Sequence, residues 1–455
     1  MIACQREVED LTNVILGAGV TGLAAGLASG WPVYEAEQAP GGICSSYYLG
    51  SGNVRTHNPP ARGECYRFEL GGGHWIFGGE RPVIEFIHSL AAVKRYSRRS
   101  AVFFPDGKTL VPYPIQNHLK HFDCQIADKA LREMATSAIE KRPSRTMAEW
   151  LQNSFGPTLC DLFFSPFHEL YTAGLWKSIA PQDAYKSPVN LSLAIQGAFN
   201  HTNSVGYNTT FIYPVEGLNA FTQRMAERCD LRYGKRVVRI DAQSHKVFFA
   251  DGTAIRYDRL ISSLPLNRMM ALTALEVGVR PDPSPSVLVI NIGAQKGTRC
   301  PTEHWVYLPS SNCGFHRVGF YSNVDPSFLP ASARGAEDRV SIYVEKAYPE
   351  SQRPSQVELG RLCRDVVEQL QVWEWISDVE VIDPTWIEVA YTWSWSGSKW
   401  KDRALEILEQ HEILQVGRYA CWSFQGIADS IRDGLLAGAA LSGAKSQQMS
   451  VASIS

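Results

Sequence analysis

The sequence predicts an α/β protein in which a Rossmann-type domain is combined with an inserted helical segment and a mixed β-sheet domain. Three observations support this prediction. A short apolar strand at residues 14–16 runs into a glycine-rich turn and a helix, a mostly helical pattern fills residues 126–200, and strand-like runs return from residue 231 onward. Strands and helices that alternate in this way indicate a parallel sheet with helices packed against it.

The glycine turn after the first strand has the chemistry of a dinucleotide-binding site. Gly17 permits the tight turn, Gly19 lets backbone amides approach a pyrophosphate, and Gly22 lets the helix lie close to the sheet. The helix N-terminus offers unpaired N–H groups and the positive end of its dipole to phosphates. Glu35, close to the expected ~20 residues further on, can accept hydrogen bonds from both ribose hydroxyls. The alternative is a glycine-rich turn in an ordinary α/β unit.

The residues after Glu35 favour FAD over a nicotinamide cofactor. Gly41 and Gly42 form a paired glycine just past the ribose carboxylate. This segment resembles the FAD-binding segment of the amine-oxidase-like flavoproteins. The resemblance implies that the chain passes close to the isoalloxazine ring here. The predicted fold is therefore a Rossmann-type FAD-binding domain with an inserted helical segment and a mixed β-sheet substrate domain.

Composition and charge exclude several classes of protein. The chain has 455 residues, 45% hydrophobic and 20% charged, and its net charge of −2 provides no basic field for nucleic acid or anionic lipid. We find no signal-peptide pattern and no apolar run near the ~20 residues of a membrane span, so we expect a cytoplasmic protein. Ten scattered cysteines without a C-x-x-C pattern argue against metal sites and a disulfide framework.

The pattern along the chain predicts the remaining elements. Helices are predicted at residues 127–139 and 146–155. Strands are predicted at residues 236–240, 259–263, 287–292, 318–321, 340–343 and 413–418, and residues 246–253 are predicted as half of a hairpin that ends in an Asp-Gly turn. The predicted division is 1–100, 206–285 and 401–455 for three parts of the FAD-binding domain, 101–205 for a mainly helical substrate-side insertion, and 286–400 for the β-sheet substrate domain.

The C-terminal strand and helix form a second predicted cofactor contact. The strand ends near Gly417 and Arg418, and Asp429 and Ser430 suit the N-cap of a helix whose N-terminus could face the cofactor. Capping alone would also explain Asp429 and Ser430. The predicted cofactor-binding residues are Gly17, Gly19, Val20, Thr21, Gly22, Glu35, Ala36, Gly41, Gly42, Gly72, Gly73, His74, Val238, Gly417, Arg418, Asp429 and Ser430.

Several separated segments resemble the UDP-galactopyranose mutases, especially their eukaryotic-type branch. The matching segments are residues 72–77 (GGHWIF), 111–117 (VPYPIQN), 208–214 (NTTFIYP), 305–309 (WVYLP) and 312–323 (NCGFHRVGFYSN). They follow one another in the family's order across most of the chain. The resemblance implies an FAD-dependent isomerase in which N5 of the reduced flavin attacks the anomeric carbon and forms a covalent adduct, so that a nucleotide-sugar or related ring isomerises without net redox change.

The resemblance also assigns roles to individual residues. Gly72, Gly73 and His74 match a loop that lies against the flavin near N5. Arg317 matches an arginine that neutralises the substrate diphosphate, for which a guanidinium is suited, and Tyr307 matches a tyrosine that touches the same group. Asn208 matches a polar residue near the sugar. The candidate catalytic residues are His74, Arg317, Tyr307 and Asn208.

The chain departs from the family at the nucleotide-sugar end. A second family arginine is missing, and Lys177 or Lys186 would not reproduce its bidentate fork. A family Tyr-Pro-x-Pro segment is replaced here by residues 391–395 (YTWSW), and Phe424 stands in place of a diphosphate tyrosine. Four tryptophans could stack on a planar or apolar substrate or pack between the domains: Trp393, Trp395, Trp400 and Trp422.

Three functions therefore stay open from the sequence. The leading one is a mutase-like flavoenzyme, acting on a small-molecule sugar or nucleotide-sugar and reduced by an electron source such as NAD(P)H. The second is an FAD-dependent oxidoreductase of the amine-oxidase or protoporphyrinogen-oxidase type on a small organic substrate. The third is an FAD-binding protein without catalysis. Nothing in the sequence indicates a nucleic-acid or membrane partner or fixes the oligomeric state.

Overall fold

The computed structural model describes residues 9–10, 13–50, 52–60, 63–140, 142–182, 189–200 and 208–452. The helices are α1 Val20–Ser29, α2 Arg81–Leu90, α3 Cys124–Glu140, α4 Met147–Leu159, α5 Ser165–Tyr171, α6 Leu191–Phe199, α7 Leu218–Ala226, α8 Leu266–Thr273, α9 Tyr321–Val324, α10 Gln356–Val372, α11 Trp400–Glu409 and α12 Ile427–Ala452. The strands are β1 Glu9–Asp10, β2 Asn13–Leu16, β3 Val33–Tyr34, β4 Ser46–Leu49, β5 Arg55–Thr56, β6 Tyr66–Glu69, β7 Ile76–Phe77, β8 Val93–Ser97, β9 Ser100–Phe104, β10 Thr109–Pro112, β11 Thr210–Pro214, β12 Leu231–Arg232, β13 Val237–Asp241, β14 Lys246–Phe249, β15 Ala254–Arg256, β16 Arg259–Ser262, β17 Ser286–Lys296, β18 Trp305–Tyr307, β19 Arg317–Phe320, β20 Arg339–Tyr348, β21 Ile376–Ile387 and β22 Ile413–Gln415.

A parallel five-stranded sheet in the order β12-β3-β2-β16-β22 forms the Rossmann-type core. Its central strand β2 has all four residues buried. A parallel strand covered on both faces has no polar face, which explains its apolar sequence. The sheet takes strands from both ends of the chain and from its middle, and the predicted α/β fold with its Rossmann-type unit is confirmed.

Helix α1 lies very close to the sheet because Gly22 has no side chain. A Cβ built on Gly22 would lie 1.9 Å from the carbonyl oxygen of Gly17, well inside contact distance. The helix ends at Gly30, whose left-handed conformation (φ 71°) closes the last turn. The predicted role of Gly22 in helix–sheet packing therefore has a direct geometric basis.

Helix α12 packs on α1 through a second set of close backbone contacts. A Cβ built on Gly434 would lie 2.3 Å from the carbonyl oxygen of Thr21, and one built on Gly438 would lie 2.4 Å from that of Ala25. Glycine at these positions lets the two helix backbones touch. Helix α12 is therefore fixed against α1.

A seven-stranded mixed sheet, β10-β9-β18-β19-β20-β17-β21, forms a second layer. Only β9 and β18 pair in parallel, and the other neighbours are antiparallel. Helix α10 begins with a capping box between Ser355 and Glu358 and buries Leu370 in the same apolar cluster as Leu288 and Ile290. Strands β9 and β10 come from the insertion predicted as mainly helical, because that insertion was taken to begin at residue 101 and so included them. The domain boundaries themselves stay predictions.

The helical segment α3 to α6 contains both helices predicted there. A π-helical turn at Cys160–Phe164 joins α4 to α5, and the rings of Phe155 and Phe164 stack with centroids 4.2 Å apart. Gly156, at φ 76°, breaks the helical path before Pro157. Beyond this kink and turn, Phe167 on α5 packs against Tyr307 of the seven-stranded sheet, with ring centroids 5.4 Å apart.

The loop that carries His74 is held at both ends by small sheets. It follows β6 of the sheet β5-β4-β6 and leads into β7 of the sheet β7-β11-β8. At its start the fully buried Glu69 accepts hydrogen bonds from the hydroxyls of Ser46 (2.8 Å) and Tyr213. Burial raises the pKa of Glu69 to about 7, although both hydroxyls oppose the shift.

Three boundary predictions are wrong. The strand predicted at residues 413–418 ends at Gln415, before Gly417. The strand predicted at residues 318–321 ends at Phe320, because Tyr321 begins α9. The C-terminal helix begins at Ile427, so Asp429 and Ser430 lie in its first turn and are not its N-cap. The carboxylate of Asp429 instead reaches back and accepts a hydrogen bond from the Gly426 amide at 3.2 Å.

Within the described ranges, none of the helices is long and apolar enough to cross a membrane. The same residues contain no group of three or more His, Cys, Asp and Glu side chains placed to hold a metal ion.

We predict that Gly434→Ala destabilises the protein. The added Cβ would push α12 away from α1, and the loss of packing should outweigh the better helix propensity of alanine, for a net loss of about 1–3 kcal/mol. Thermal unfolding of the purified protein measures this loss. Gly335→Ala is the matched control, because no atom lies within 4 Å of a Cβ built there; equal stability of the two variants would contradict the prediction.

Candidate active site

One large cavity lies between the parallel sheet, the seven-stranded sheet and the helical segment. Its volume is about 1470 Å³, which exceeds the ~300–1,000 Å³ typical of a pocket for one small ligand. Gly17 and Glu35 line one end, and Tyr171 and Trp393 line the other. The cavity therefore has room for a dinucleotide and a second molecule.

The first end of the cavity is built by the glycine turn and Glu35. Glu35 is only 8% exposed, and its carboxylate accepts hydrogen bonds from the Ala18 amide (2.7 Å) and the Glu37 amide (2.9 Å). Helix α1 begins at Val20 with no side-chain cap at Gly19, so its first N–H groups are available to a ligand. An uncapped helix end beside a fixed carboxylate fits the pyrophosphate and ribose of FAD.

Gly41 and Gly42 hold the next loop against this helix end. The Gly41 amide donates to the Ala18 carbonyl at 2.8 Å, and Gly41 forms a β-bridge with Gly19. Both glycines have positive φ, 105° and 54°, and a Cβ on Gly42 would lie 3.5 Å from the Cα of Gly19. The paired glycine therefore lets a loop pass directly beside the helix N-terminus, as the FAD interpretation requires.

The loop from Gly71 to His74 forms the middle wall of the cavity. Gly73 lies against the Tyr343 hydroxyl, since a Cβ on Gly73 would be 2.2 Å from that oxygen. His74 Nδ1 lies 3.2 Å from the Gly72 carbonyl oxygen. Burial lowers the pKa of His74 to about 4, so the imidazole is neutral at pH 7. Because a carbonyl only accepts, Nδ1 carries the proton and Nε2 is an acceptor.

Arg317 and Glu345 form a tight ion pair on the neighbouring wall. Arg317 Nε donates to Glu345 Oε2 at 2.9 Å, and Nη2 lies 2.5 Å from both carboxylate oxygens. Burial would raise the pKa of the 1%-exposed Glu345, but the guanidinium outweighs it and lowers this pKa to about 2. The carboxylate stays ionised and compensates the charge of Arg317.

His316 lies next to the Arg317–Glu345 pair. It is 1% exposed, and its Nε2 is 3.6 Å from Glu345 Oε2, beyond hydrogen-bond distance. Burial lowers the pKa of His316 despite the carboxylate. We therefore assign His316 as neutral, which leaves Arg317 as the cationic partner of Glu345.

Aromatic side chains dominate the far end of the cavity. We call this set the aromatic lobe: Tyr113, Phe163, Phe167, Tyr171, Tyr307, Tyr391 and Trp393. Their rings are packed in contact, with centroid separations of 4.8 Å for Tyr113 and Tyr307 and 4.8 Å for Tyr171 and Tyr391. A wall of packed rings is rigid and suits a planar or apolar part of a ligand.

Most of the residues chosen from the sequence meet at this cavity. The predicted residues that line it are Gly17, Gly19, Val20, Thr21, Glu35, Gly41, Gly42, Gly73, His74, Asn208, Tyr307, Arg317, Arg418 and Ser430. Those that do not are Gly22, Ala36, Gly72, Val238, Gly417 and Asp429.

Two of the residues outside the lining, Val238 and Gly417, have other places in the structure. Val238 is 51% exposed on β13, and Arg236 lines the cavity in its place. A Cβ on Gly417 would be 2.5 Å from Thr21 Oγ1, so Gly417 allows close packing against α1.

The structure also shows where most of the residues that depart from the mutase pattern lie. Lys177 is paired with Glu169 at 3.3 Å and does not line the cavity; Lys186 lies outside the described residues. The guanidinium of Arg418 lies over the Phe424 ring at 4.6 Å. Trp393 and Trp400 line the cavity, whereas Trp395 and Trp422 do not.

Sequence reasoning missed several lining residues. Phe167 and Tyr171 lie four residues apart on α5, and this helical spacing was a usable signal. Arg98 and Glu345 carried no such signal. Glu345 is itself buried in β20, and its pairing with Arg317 depends on the register of β19 with β20.

Comparisons with known proteins agree with this architecture. The sequence profile described as flavin containing amine oxidoreductase matches residues 32–288. A solved structure of reduced UDP-galactopyranose mutase aligns with a TM-score of 0.80 and 22% identity over 95% of each chain. A CLA-producing fatty acid isomerase from P. acnes aligns with a TM-score of 0.60 and 15% identity over 93% of this chain and 96% of the other. Putrescine oxidase bound to putrescine aligns with a TM-score of 0.56 and 15% identity over 96% and 99%.

We predict that Glu35→Ala weakens FAD binding. The variant loses the ribose acceptor and two charge-assisted hydrogen bonds that shape the turn, each worth about 1.5–3 kcal/mol. The FAD dissociation constant should rise by at least about tenfold, which fluorescence titration of the apoprotein measures. Glu37→Ala is the control, because that side chain is 68% exposed and pairs with Arg236; a similar loss in both variants would count against the role of Glu35.

We predict that Arg317→Ala destabilises the protein more at pH 7.5 than at pH 4.5. In the wild type Glu345 has a lowered pKa, so its stabilising effect is present above the unfolded value of ~4.3 and is lost only as the pH falls toward about 2. Without the guanidinium, burial raises the Glu345 pKa, and the charged form costs about 3–5 kcal/mol at pH 7.5. Protonation at pH 4.5 removes part of that cost.

Thermal unfolding of wild type and variant at both pH values measures this difference. Arg81→Ala is the control, because its pair with Glu85 is 88% and 62% exposed and should contribute less than about 1 kcal/mol at either pH. A pH-independent effect of Arg317→Ala would show that Glu345 is not its buried partner.

Proposed function

The chain belongs to the family of flavin-containing amine oxidoreductases, and we propose that it is an FAD-dependent isomerase that rearranges a sugar or sugar-like ring without net oxidation. Isomerases and oxidoreductases both occur among the structures that share its fold. The proposal within this family therefore depends on the residues of the cavity.

The observation that carries the proposal is the convergence of the mutase-like segments. His74, Tyr113, Asn208, Tyr307 and Arg317 come from five separate stretches of sequence, and all five line the same cavity. A chance match in a loop or a surface strand has no reason to lie there. The match of fold with the mutase over nearly the whole of both chains supports the same assignment.

The residues of the cavity suit FAD at one end and a hydroxylated ring at the other. Glu35, the uncapped start of α1 and the paired glycine would hold the ribose and pyrophosphate of FAD. When bound and reduced, the flavin would supply the nucleophile that the mutase resemblance implies. Asn208, Tyr307 and Tyr391 offer an amide and two phenols to the hydroxyl groups of a ring.

His74 would act as a fixed neutral acceptor beside the cofactor. Its Nδ1 proton is held by the Gly72 carbonyl and its pKa is about 4, so Nε2 accepts hydrogen bonds throughout the physiological pH range. A neutral acceptor would suit an N–H donor, which a flavin gains on reduction.

A second candidate function is an FAD-dependent oxidoreductase on a small organic substrate. The aromatic lobe favours it, because packed rings suit an apolar or cationic substrate at least as well as a sugar. A non-catalytic FAD-binding role is the least supported, since a neutral buried imidazole and a fixed ion pair line the cavity.

Redox stoichiometry separates these functions. The holoprotein, reduced anaerobically with dithionite, is mixed with a panel of free and nucleotide-linked sugars, and ring forms are followed by chromatography. We expect turnover only with reduced FAD, with the flavin spectrum still that of the reduced form at the end. NAD(P)H replaces dithionite in a second series, to test it as the electron source.

The oxidised holoprotein with the same panel, and with a panel of amines, is the control. Reduction of the flavin on mixing, with peroxide released in air, would overturn the isomerase in favour of the oxidoreductase. No turnover with the reduced protein and no flavin reduction with the oxidised protein would favour a non-catalytic protein.

A further inference from the structure

His316 is a buried imidazole whose side chain has not made its hydrogen bonds. It belongs to the cavity wall, and neither ring nitrogen has a hydrogen-bond partner among the described residues. Its backbone is fixed, because the amide donates to the Glu345 carbonyl at 3.0 Å and the carbonyl accepts from the Leu308 amide at 2.9 Å. A buried polar group without a partner is costly, so a second state in which the ring has one would recover that cost.

Glu345 is the carboxylate beside this ring. Its Oε2 lies 3.6 Å from Nε2 of His316, and a charge-assisted hydrogen bond between the two atoms would need that distance to shorten by about 0.8 Å. The same oxygen already accepts hydrogen bonds from Nε and Nη2 of Arg317. While the guanidinium holds this carboxylate, a proton on His316 would add a second positive charge to a buried site.

The side chains that face His316 come from β19, β20 and α5. Arg317 lies on β19 and Glu345 on β20, and the rings of Phe167 and Tyr171 on α5 have their centroids 6.2 and 5.4 Å from that of His316. Burial is the main cause of the lowered pKa of His316; the carboxylate raises this pKa and the guanidinium lowers it further. Withdrawal of the guanidinium would therefore raise the pKa of the imidazole.

Arg317 is the member of this group that a ligand reaches first. Its side chain is 25% exposed, compared with 2% for Glu345 and 1% for His316. Nε and Nη2 of Arg317 are bonded to Glu345, whereas a bidentate phosphate contact uses two parallel N–H donors. A phosphate that took both terminal nitrogens would leave the buried carboxylate without its cation, which is strongly unfavourable unless another cation replaces it.

The cavity offers further guanidinium groups to such a ligand. These groups suit the planar, bidentate recognition of phosphate. The arginines that line the cavity are Arg98, Arg236, Arg268, Arg317 and Arg418. Among them, Arg317 is the one that the mutase resemblance matches with an arginine that neutralises a diphosphate.

We propose that a diphosphate draws Arg317 away from Glu345, and that His316 then takes up one proton from the solvent and replaces the guanidinium as the partner of Glu345. His316 is thus a positioning residue, because it acts on the ligand through Glu345 and Arg317. The complex holds one proton more than the free protein, so the diphosphate binds more tightly as the pH falls. The inference rests on the proposed function only for a substrate linked to a nucleoside diphosphate.

Calorimetry of ligand binding to the oxidised, FAD-loaded protein counts these protons. The probe is UDP-galactose, because its diphosphate is a diester without a group that titrates near neutral pH. Titration in two buffers of different ionisation enthalpy gives the number of protons taken up. We expect close to one proton per ligand, and an affinity that rises several-fold, about tenfold at most, from pH 7.5 to pH 6.5. No proton uptake, or no binding of UDP-galactose, would overturn the inference.

His316→Phe tests whether the proton goes to this ring. Phenylalanine keeps a planar ring against Phe167 and Tyr171 and cannot be protonated, so the proton uptake and the rise in affinity at lower pH should both be lost. Proton uptake that persists in the variant would place the proton elsewhere, for example on Glu345, and would exclude His316. His304→Phe is the matched control, because His304 is also buried but does not line the cavity; it should keep the proton uptake.

His316→Gln is the second variant if His316→Phe fails to fold. Its amide can donate to Glu345 without a charge, so part of the UDP-galactose affinity should be kept while the proton uptake is lost. An affinity that still rises as the pH falls would contradict the role of His316. These experiments measure binding to the oxidised protein, so a missing isomerase activity would remove the proposed function without touching this result.

Discussion

The close backbone contacts around α1 are the constraint on which the rest of the structure depends. Gly22 touches the carbonyl of Gly17, and Gly434 and Gly438 let α12 touch the other side of the same helix. Together they fix where α1 begins, and with it the direction of its free N–H groups. The position of Glu35, the passage of Gly42 beside the turn and the first turn of α12 at the cavity all follow from this one helix.

The second organising feature is the contact between the His74 loop and the seven-stranded sheet. A Cβ on Gly72 would lie 2.6 Å from Glu345 Oε1, so the loop backbone rests directly on the carboxylate that binds Arg317. Tyr343, two residues before Glu345 on β20, supports Gly73 from the same strand face. The groups assigned to the cofactor and those assigned to the substrate are therefore one packed unit.

Local sequence signals predicted the cofactor end of the site, and long-range pairing decided the rest. The glycine turn and Glu35 belong to one strand-turn-helix unit, whose spacing is set by local geometry, so the sequence alone predicts that they lie together. The partner of Arg317 depends on the register in which β19 and β20 pair, and the sequences of the two strands do not predict that register. The N-cap of α12 was also predicted wrongly, because the Asp429 carboxylate accepts a hydrogen bond from the Gly426 amide, three residues earlier in the chain.

The assembly of the parallel sheet has a consequence for how the protein is made. Its order β12-β3-β2-β16-β22 places β2, the first of its own strands to be synthesised, beside β16, and β16 beside a strand that ends at Gln415. The glycine contacts of α12 on α1 close the same unit from residues synthesised later still. Contacts so distant in sequence slow folding and leave strand edges unpaired in the meantime. The nascent chain therefore cannot complete its cofactor site until β22 and α12 have left the ribosome, and its unpaired strand edges are open to aggregation until then.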